Sequence, residues 1–246
     1  MADKIEIKTV TCIGAGYVGG PTMAVMAKHC PEINFYVVDI NAARIAEWNS
    51  DVLPIYEPGL DELLKGVRGR NLFFSADCEK GIRDAQIIFV SVNTSTKEYG
   101  LDAGTAYDLT AVEAVARSIA TIDAGPKIVV EKSTVPVTTA DRIQRVFAAC
   151  GVEQRMEVLS NPEFLAEGQA IPNLEKPDRV LIGCRQTDAG RAAERALASL
   201  YLHWIPGKQT GAIASLLCEL LFLPLLTTLV SSHQLSSALI SSHQLS

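Results

Sequence analysis

The sequence has no basic stretch to set against its 28 acidic residues. Its 22 Lys and Arg leave a net charge of −6. Nucleic acid is therefore excluded as the main partner, because phosphate binding needs clustered cations. Aromatic residues are sparse, at 6% of the 246 residues. The six cysteines, Cys12, Cys30, Cys78, Cys150, Cys184 and Cys218, are scattered without a Cys-x-x-Cys pair, so no metal or redox motif is expected. A reduced, cytoplasmic setting is the simplest reading. The start, Met1 to Glu6, lacks the basic-then-apolar plan of a signal peptide. Charge itself is scarce in the last part: beyond Gly207 only Lys208 and Glu219 carry it.

The rest has the composition of a folded protein, 48% hydrophobic and 20% charged. Two regions are expected: a body at 1–207 and an apolar, Ser-rich tail at 208–246. In the body, short β-rich runs alternate with longer helical patterns. Strands are expected at Thr9 to Ile13, Phe35 to Asp39, Asn71 to Phe74, Ile87 to Val92, Lys127 to Glu131 and Glu157 to Leu159. Helices are expected at Tyr17 to His29, Ala42 to Trp48, Leu109 to Ala120 and Thr139 to Ala149. Continuously apolar strands fit a parallel sheet covered on both faces. The alternation predicts an α/β, Rossmann-type, doubly wound and mainly parallel sheet.

Between the first strand and first helix stands Gly14-Ala15-Gly16-Tyr17-Val18-Gly19. Gly14 permits a tight turn, Gly16 lets a pyrophosphate approach the backbone, and Gly19 lets helix and strand pack closely. The helix N-terminus offers free N–H groups and partial positive charge to phosphates. Asp39 ends the second strand 20 residues after Gly19, where a carboxylate accepts hydrogen bonds from a ribose diol and repels a 2′-phosphate. NAD is the expected cofactor. Arg44 either flanks the adenosine or is a solvated helix charge.

Ligands in open α/β sheets sit beyond the carboxyl ends of the strands. Three such ends carry polar groups here: Asn93-Thr94-Ser95-Thr96 after Val92, Lys132-Ser133-Thr134, and Ser160 to Gly168. Each is either part of a site or an ordinary polar loop. Glu163 and Glu167 are four apart, so one helical turn would put both carboxylates on one face. They read either as a general base beside a substrate-binding acid or as the start of a capped helix.

These segments, with Trp48-Asn49-Ser50, Leu53 to Leu60 and Pro177 to Gly183, make residues 5–206 resemble the N-terminal part of eukaryotic UDP-glucose 6-dehydrogenases. The resemblance implies oxidation of the C6 hydroxyl of UDP-glucose to the carboxylate of UDP-glucuronate, with two NAD+ reduced in succession. It implies that Gly14, Ala15, Gly16, Tyr17, Val18, Gly19, Asp39, Arg44, Val92, Asn93, Thr94, Ser95, Thr96, Ser133 and Thr134 bind NAD. By the same resemblance Thr134 helps to place a water and Glu163 assists its activation. Phe164, Leu165, Ala166 and Glu167 would touch the sugar nucleotide alongside Glu163, with Glu167 also near the cofactor.

Two departures qualify the resemblance. Ser95 stands where the family has proline, which removes a fixed φ from the loop. Beyond Pro206 the family's central helix, its catalytic cysteine segment and its UDP-binding domain are not matched. No normal turnover is therefore expected of this chain. The alternatives are a non-catalytic NAD-binding or interaction module, which would associate with full-length subunits, and an unstable misassembled fragment. The Leu-rich stretch 212–230 has three readings: a membrane span, a buried helix interrupted by Pro224, or a sequence unrelated to the fold. The composition change and the repeated Ser-Ser-His-Gln-Leu-Ser favour the last. His233 and His243 in that repeat are too isolated to serve as metal ligands.

Overall fold

The computed structural model describes residues 5–96, 107–122, 124–133, 138–205 and 213–217. The chain begins with β1 (Thr9–Ile13), α1 (Gly19–His29), β2 (Asn34–Val38), α2 (Ala42–Trp48), α3 (Leu60–Val67) and β3 (Leu72–Ser75). It continues through α4 (Cys78–Asp84), β4 (Ile87–Val90), α5 (Thr110–Thr121), β5 (Lys127–Glu131), α6 (Thr139–Ala149) and β6 (Met156–Ser160). The last elements are α7 (Ala170–Glu175), β7 (Val180–Cys184), α8 (Asp188–Tyr201) and β8 (Ile213–Leu217).

One sheet runs in the order β3-β2-β1-β4-β5-β6-β7-β8. All pairings are parallel except β6 with β7. Side chains on alternate positions of one strand feed two separate cores. Ile87 and Phe89 of β4 join the cluster built by α1, α3 and α8, while Ile88 and Val90 join the cluster built by α5 and α6. Both faces are dry, so apolar residues occupy every position of β4, as its continuous run predicts. Each large side chain buried this way contributes roughly 1.5–3 kcal/mol.

Strands β1 and β5 and helices α2 and α6 have the expected limits. Helix α1 starts two residues later than expected, at Gly19, because Tyr17 and Val18 belong to the turn that leaves β1. Elements α3, α4, α7, β7 and α8 were not expected individually. In the tail, Ile213–Leu217 pairs parallel with β7 along its full length, Val180 opposite Ile213 through Cys184 opposite Leu217. A helix across these five residues is thereby overturned: the open edge of β7 offers ladder partners to an extended chain. Among the described residues no helix is long and apolar enough to cross a membrane.

The sheet's winding reverses between β1 and β4, where an open α/β sheet has its ligand crevice.

Candidate functional site

The glycine loop lies at this switch point, and its glycines divide the work. Gly14 has φ +111°, and a Cβ there would stand 2.2 Å from the Ser91 carbonyl oxygen at the end of β4. A Cβ on Gly19 would stand 2.2 Å from the Gly14 carbonyl oxygen. Both are closed by backbone. Gly16 differs: nothing lies within 4 Å of where its Cβ would be. Its missing side chain leaves open space beside the first turn of α1. That turn has no acidic residue and Val18 gives it no side-chain cap. Pro21 has no N–H and the Gly20 N–H is donated to the Gly16 carbonyl at 3.2 Å, so the Gly19 N–H is the group of this turn that faces an anion.

The loop is held from below by Trp48, which is fully buried. Its indole Nε1 donates to the Ala15 carbonyl at 2.9 Å, and its ring stacks on Phe74 with centroids 4.8 Å apart. A Cβ on Gly20 would meet the same ring at 2.3 Å, so the helix can sit this low only with glycine there.

Asp39 follows β2 as expected. Its Oδ2 accepts from the Ala15 N–H and its Oδ1 from the Asn41 N–H, both at 2.9 Å. The carboxylate is thus oriented by the glycine loop itself, with its side chain 12% exposed. Arg44 Nη1 is 3.8 Å from Asp39 Oδ2 and half exposed, at the outer end of the crevice.

The other strand ends converge on the same side. The Ser91 N–H donates to the Ile13 carbonyl at 2.9 Å, joining β4's end to β1's. Ser133 Oγ donates to the Val92 carbonyl at 2.9 Å, which ties the loop after β5 to the loop after β4. Of Asn93, Thr94, Ser95 and Thr96, the Ser95 carbonyl accepts from the Asp108 N–H at 2.7 Å and Thr96 bridges Tyr107. Thr134 lies outside the described residues.

The segment after β6 is a loop and a turn, and α7 begins only at Ala170. Glu163 and Glu167 are therefore not on one helical face, and the expected helical pairing is corrected. Pro162 keeps Asn161 out of the helical region, and Glu163 Oε2 accepts the Leu165 N–H at 2.6 Å instead, closing a local turn. Glu163 is partly buried while Glu167 is exposed. Phe164 is half exposed, with the Arg179 guanidinium 5.2 Å from its ring centre. The Ala166 carbonyl accepts from the Tyr17 hydroxyl at 3.0 Å. That bond joins the glycine loop to the 161–168 segment across 149 residues of sequence.

Three positioning groups were given no role by sequence reasoning, though Lys132 stood among the polar strand ends. Glu57 is buried and accepts from the Gly168 N–H at 2.8 Å and the Ala170 N–H at 3.1 Å. Burial opposes its charge, but the neighbouring Tyr17 hydroxyl and the Gly168 and Ala170 N–H groups prevail and hold its carboxyl below the ordinary range. Glu57 so pins the 161–168 segment against Tyr17. The only signal was its place in the Leu53 to Leu60 motif.

Lys132 and Tyr201 are the others. Both are buried, and both reach Asn161 Oδ1: the lysine Nζ at 3.2 Å and the tyrosine hydroxyl, donating, at 2.6 Å. Asn161 Nδ2 in turn donates to the Leu181 carbonyl at 2.7 Å. Burial pulls the Lys132 ammonium down to about 8, with the nearby carboxylates of Glu163 and Glu131 acting the other way. Lys132, Asn161, Glu163, Phe164, Leu165 and Arg179 all line a pocket of about 170 Å³.

A parallel sheet with a glycine turn, a free helix N-terminus and an acid after β2 defines a Rossmann-type dinucleotide-binding domain. Residues 8–205 match the description "UDP-glucose/GDP-mannose dehydrogenase family, NAD binding domain". The chain belongs to that family, and its cofactor is NAD. It is 61% identical over 197 residues to UDP-glucose 6-dehydrogenase 3 of Oryza sativa subsp. japonica, covering 80% of this chain and 41% of that protein. It is 58% identical over 200 residues to UDP-glucose 6-dehydrogenase 2 of Arabidopsis thaliana, covering 81% and 42%. The chain thus spans about two fifths of the length of these curated relatives.

Among solved structures it resembles a UDP-glucose dehydrogenase from Pyrobaculum islandicum, with a TM-score of 0.68, 28% identity, and 86% and 46% of the two chains covered. It also shares the fold of a GDP-mannose dehydrogenase from Pseudomonas aeruginosa, with a TM-score of 0.76 at 23% identity, covering 95% and 51%. The residues present fit the cofactor: Gly16 leaves room, α1 begins without a side-chain cap or an acidic first turn, and Asp39 stands beside the glycine loop. Bound there, NAD supplies a hydride acceptor.

Proposed function

We propose that this chain is the cofactor-binding half of a UDP-glucose 6-dehydrogenase. It holds NAD through Gly14 to Gly19 and Asp39, with Arg44 beside the adenosine. Val92 to Thr96, Ser133 and Thr134 approach the nicotinamide, and Glu163 to Glu167 meet the sugar nucleotide. Thr134 and Glu163 position and deprotonate the water that enters during oxidation of the C6 hydroxyl to a carboxylate.

The observation that carries this reading is the Tyr17 hydroxyl on the Ala166 carbonyl. It brings the loop fitted to a pyrophosphate against the segment assigned to the sugar, as a hydride transfer between the two ligands requires. The chain's identity of about three fifths to the rice and Arabidopsis enzymes supports the substrate. A reducing, cytoplasmic setting is supported by the scatter of the six cysteines without a Cys-x-x-Cys pair.

The relatives extend well beyond the matched residues, so the reading also holds that the 246 residues bind cofactor without oxidising UDP-glucose unaided. The test follows NADH fluorescence as the purified chain is titrated, beside an Asp39→Ala variant, and then follows NADH formation with NAD+ and UDP-glucose. Saturable binding weakened by the substitution, without turnover, is expected. A soluble, folded chain that binds no NADH overturns the reading.

A further inference from the structure

The end of α1 and the end of α8 meet on the side of the sheet that holds the first hydrophobic cluster. Cys30 follows the last residue of α1, Glu32 comes two positions later, and His203 lies just beyond α8. The sequence does not relate His203 to the other two, since some 170 residues separate Cys30 from α8's last turn. In the fold, the Cys30 thiol, a Glu32 carboxylate oxygen and a His203 ring nitrogen all lie within 4.8 Å of one another. His203 Nε2 and Glu32 Oε1 are 3.7 Å apart.

We propose that Cys30, Glu32 and His203 form a transition-metal site of the zinc class that staples the end of α1 to the end of α8.

The geometry needs little adjustment. Tetrahedral zinc with its usual bond lengths of about 2.0–2.3 Å separates neighbouring ligand atoms by about 3.4–3.6 Å. The His203–Glu32 pair, at 3.7 Å, is within a few tenths of an ångström of that spacing. Both of these side chains are partly exposed, 38% and 57%, so they can rotate toward the buried thiol beneath them. A thiolate and an imidazole with one carboxylate suit zinc or cobalt and not magnesium or calcium, which take oxygen donors. Three protein ligands leave the fourth position to water.

The surroundings also favour a cation. Two helices present their carbonyl ends here, so the negative ends of both dipoles converge. The Cys30 thiol now donates only a long contact, 3.8 Å, to the Leu200 carbonyl in α8's last turn. The basic residues closing α1, Lys28 and His29, are already engaged by Glu175, at 2.6 and 2.7 Å. On binding, the S–H bond breaks, its proton passes to solvent, and the sulfur's electron pair forms the metal bond; nothing is oxidised or reduced. The site lies apart from the glycine loop and does not rest on the proposed function.

The test uses the full chain, stripped with a chelator and titrated with Co2+ and then Zn2+. A thiolate-to-cobalt charge-transfer band in the near ultraviolet is expected, bleached when zinc displaces cobalt. Cys30→Ser should abolish the band, and His203→Gln and Glu32→Gln should each weaken zinc binding by at least about tenfold. Cys150→Ser, at an exposed cysteine elsewhere, should change nothing. Zinc should raise the melting temperature of the starting chain and not that of His203→Gln. If Cys30→Ser fails to fold, the variants at the two exposed ligands decide the matter. A folded chain without the band, a band that survives Cys30→Ser, zinc binding left unchanged by His203→Gln, or a band lost instead in Cys218→Ser overturns the proposal.

Discussion

Gly14 and Gly16 stand two residues apart in one motif, yet the structure gives them opposite sensitivities. Alanine at position 14 must hold φ near +111° and would force its Cβ to 2.2 Å from a backbone oxygen of Ser91. The strained φ alone costs about 1–3 kcal/mol. The clash adds more, because the carbonyl it meets belongs to a chain already bonded to β1 and cannot swing away. About 3 kcal/mol or more is expected in total, a large part of a typical 5–15 kcal/mol. For a domain of this size that lowers the melting temperature by about 6–12 °C.

Gly16→Ala meets nothing within 4 Å, so its stability should stay within about 0.5–1 kcal/mol of the starting chain. Its effect falls on binding. A methyl group there stands where a pyrophosphate would lie and removes about one charge-assisted hydrogen bond, roughly 1.5–3 kcal/mol. At 1.4 kcal/mol per decade, NADH should bind about 10–100-fold more weakly. Thermal denaturation of both variants beside an NADH fluorescence titration separates the two effects. If Gly16→Ala melts as early as Gly14→Ala, or binds NADH like the starting chain, the division of labour among the glycines is wrong.

Three further substitutions probe the supports of the site. Asp39→Asn should weaken NADH binding by about tenfold or more and narrow the preference over NADPH, because the charge that repels a 2′-phosphate is gone; competition between the two cofactors checks it. Glu57→Gln should cost about 2 kcal/mol near neutral pH, seen by thermal denaturation. The depressed Glu57 carboxyl stabilises above its ordinary range and loses that contribution as pH falls through its folded value, so acidification should close the gap between the two proteins. Burial raises the Glu131 carboxyl to about 8 from 4.5, with Ser160 and Lys132 opposing. A raised acid favours folding below its unfolded value and loses that contribution as pH rises through the folded one. Urea denaturation between about pH 5 and 8 should show falling stability that Glu131→Gln flattens; parallel curves would contradict the cost of ionising this buried carboxyl.

Some of this molecule was legible in its sequence because the physics involved is local. The continuous apolar runs of β4 and β5 announced strands covered on both faces, and both strands feed two cores. The glycine turn could be read because backbone clearance and a required φ act on the residue that bears them. Asp39 could be placed because one strand, one helix and one strand fix its distance from the turn. The i, i+4, i+7 spacing of Leu60, Leu64 and Val67 was present too, and belongs to a helix that the motif around it obscured. Glu163 and Glu167 misled for the converse reason: a spacing of four implies a shared face only inside a helix, and Pro162 with the Glu163–Leu165 turn makes a loop of that segment.

What the chain's order determined, then, was the alternation of strands and helices, the turn that faces the cofactor and the acid beside it. Tertiary structure alone decided the antiparallel entry of β7, the pairing of Ile213–Leu217 along its edge, and the buried meeting of Lys132, Asn161 and Tyr201. It also set Tyr17 on Ala166, Glu57 under Gly168, and His203 beside Cys30 and Glu32. Those groups are far apart along the chain, and no periodicity links them; they become neighbours only because helices packing on a common sheet bring their ends to the same place.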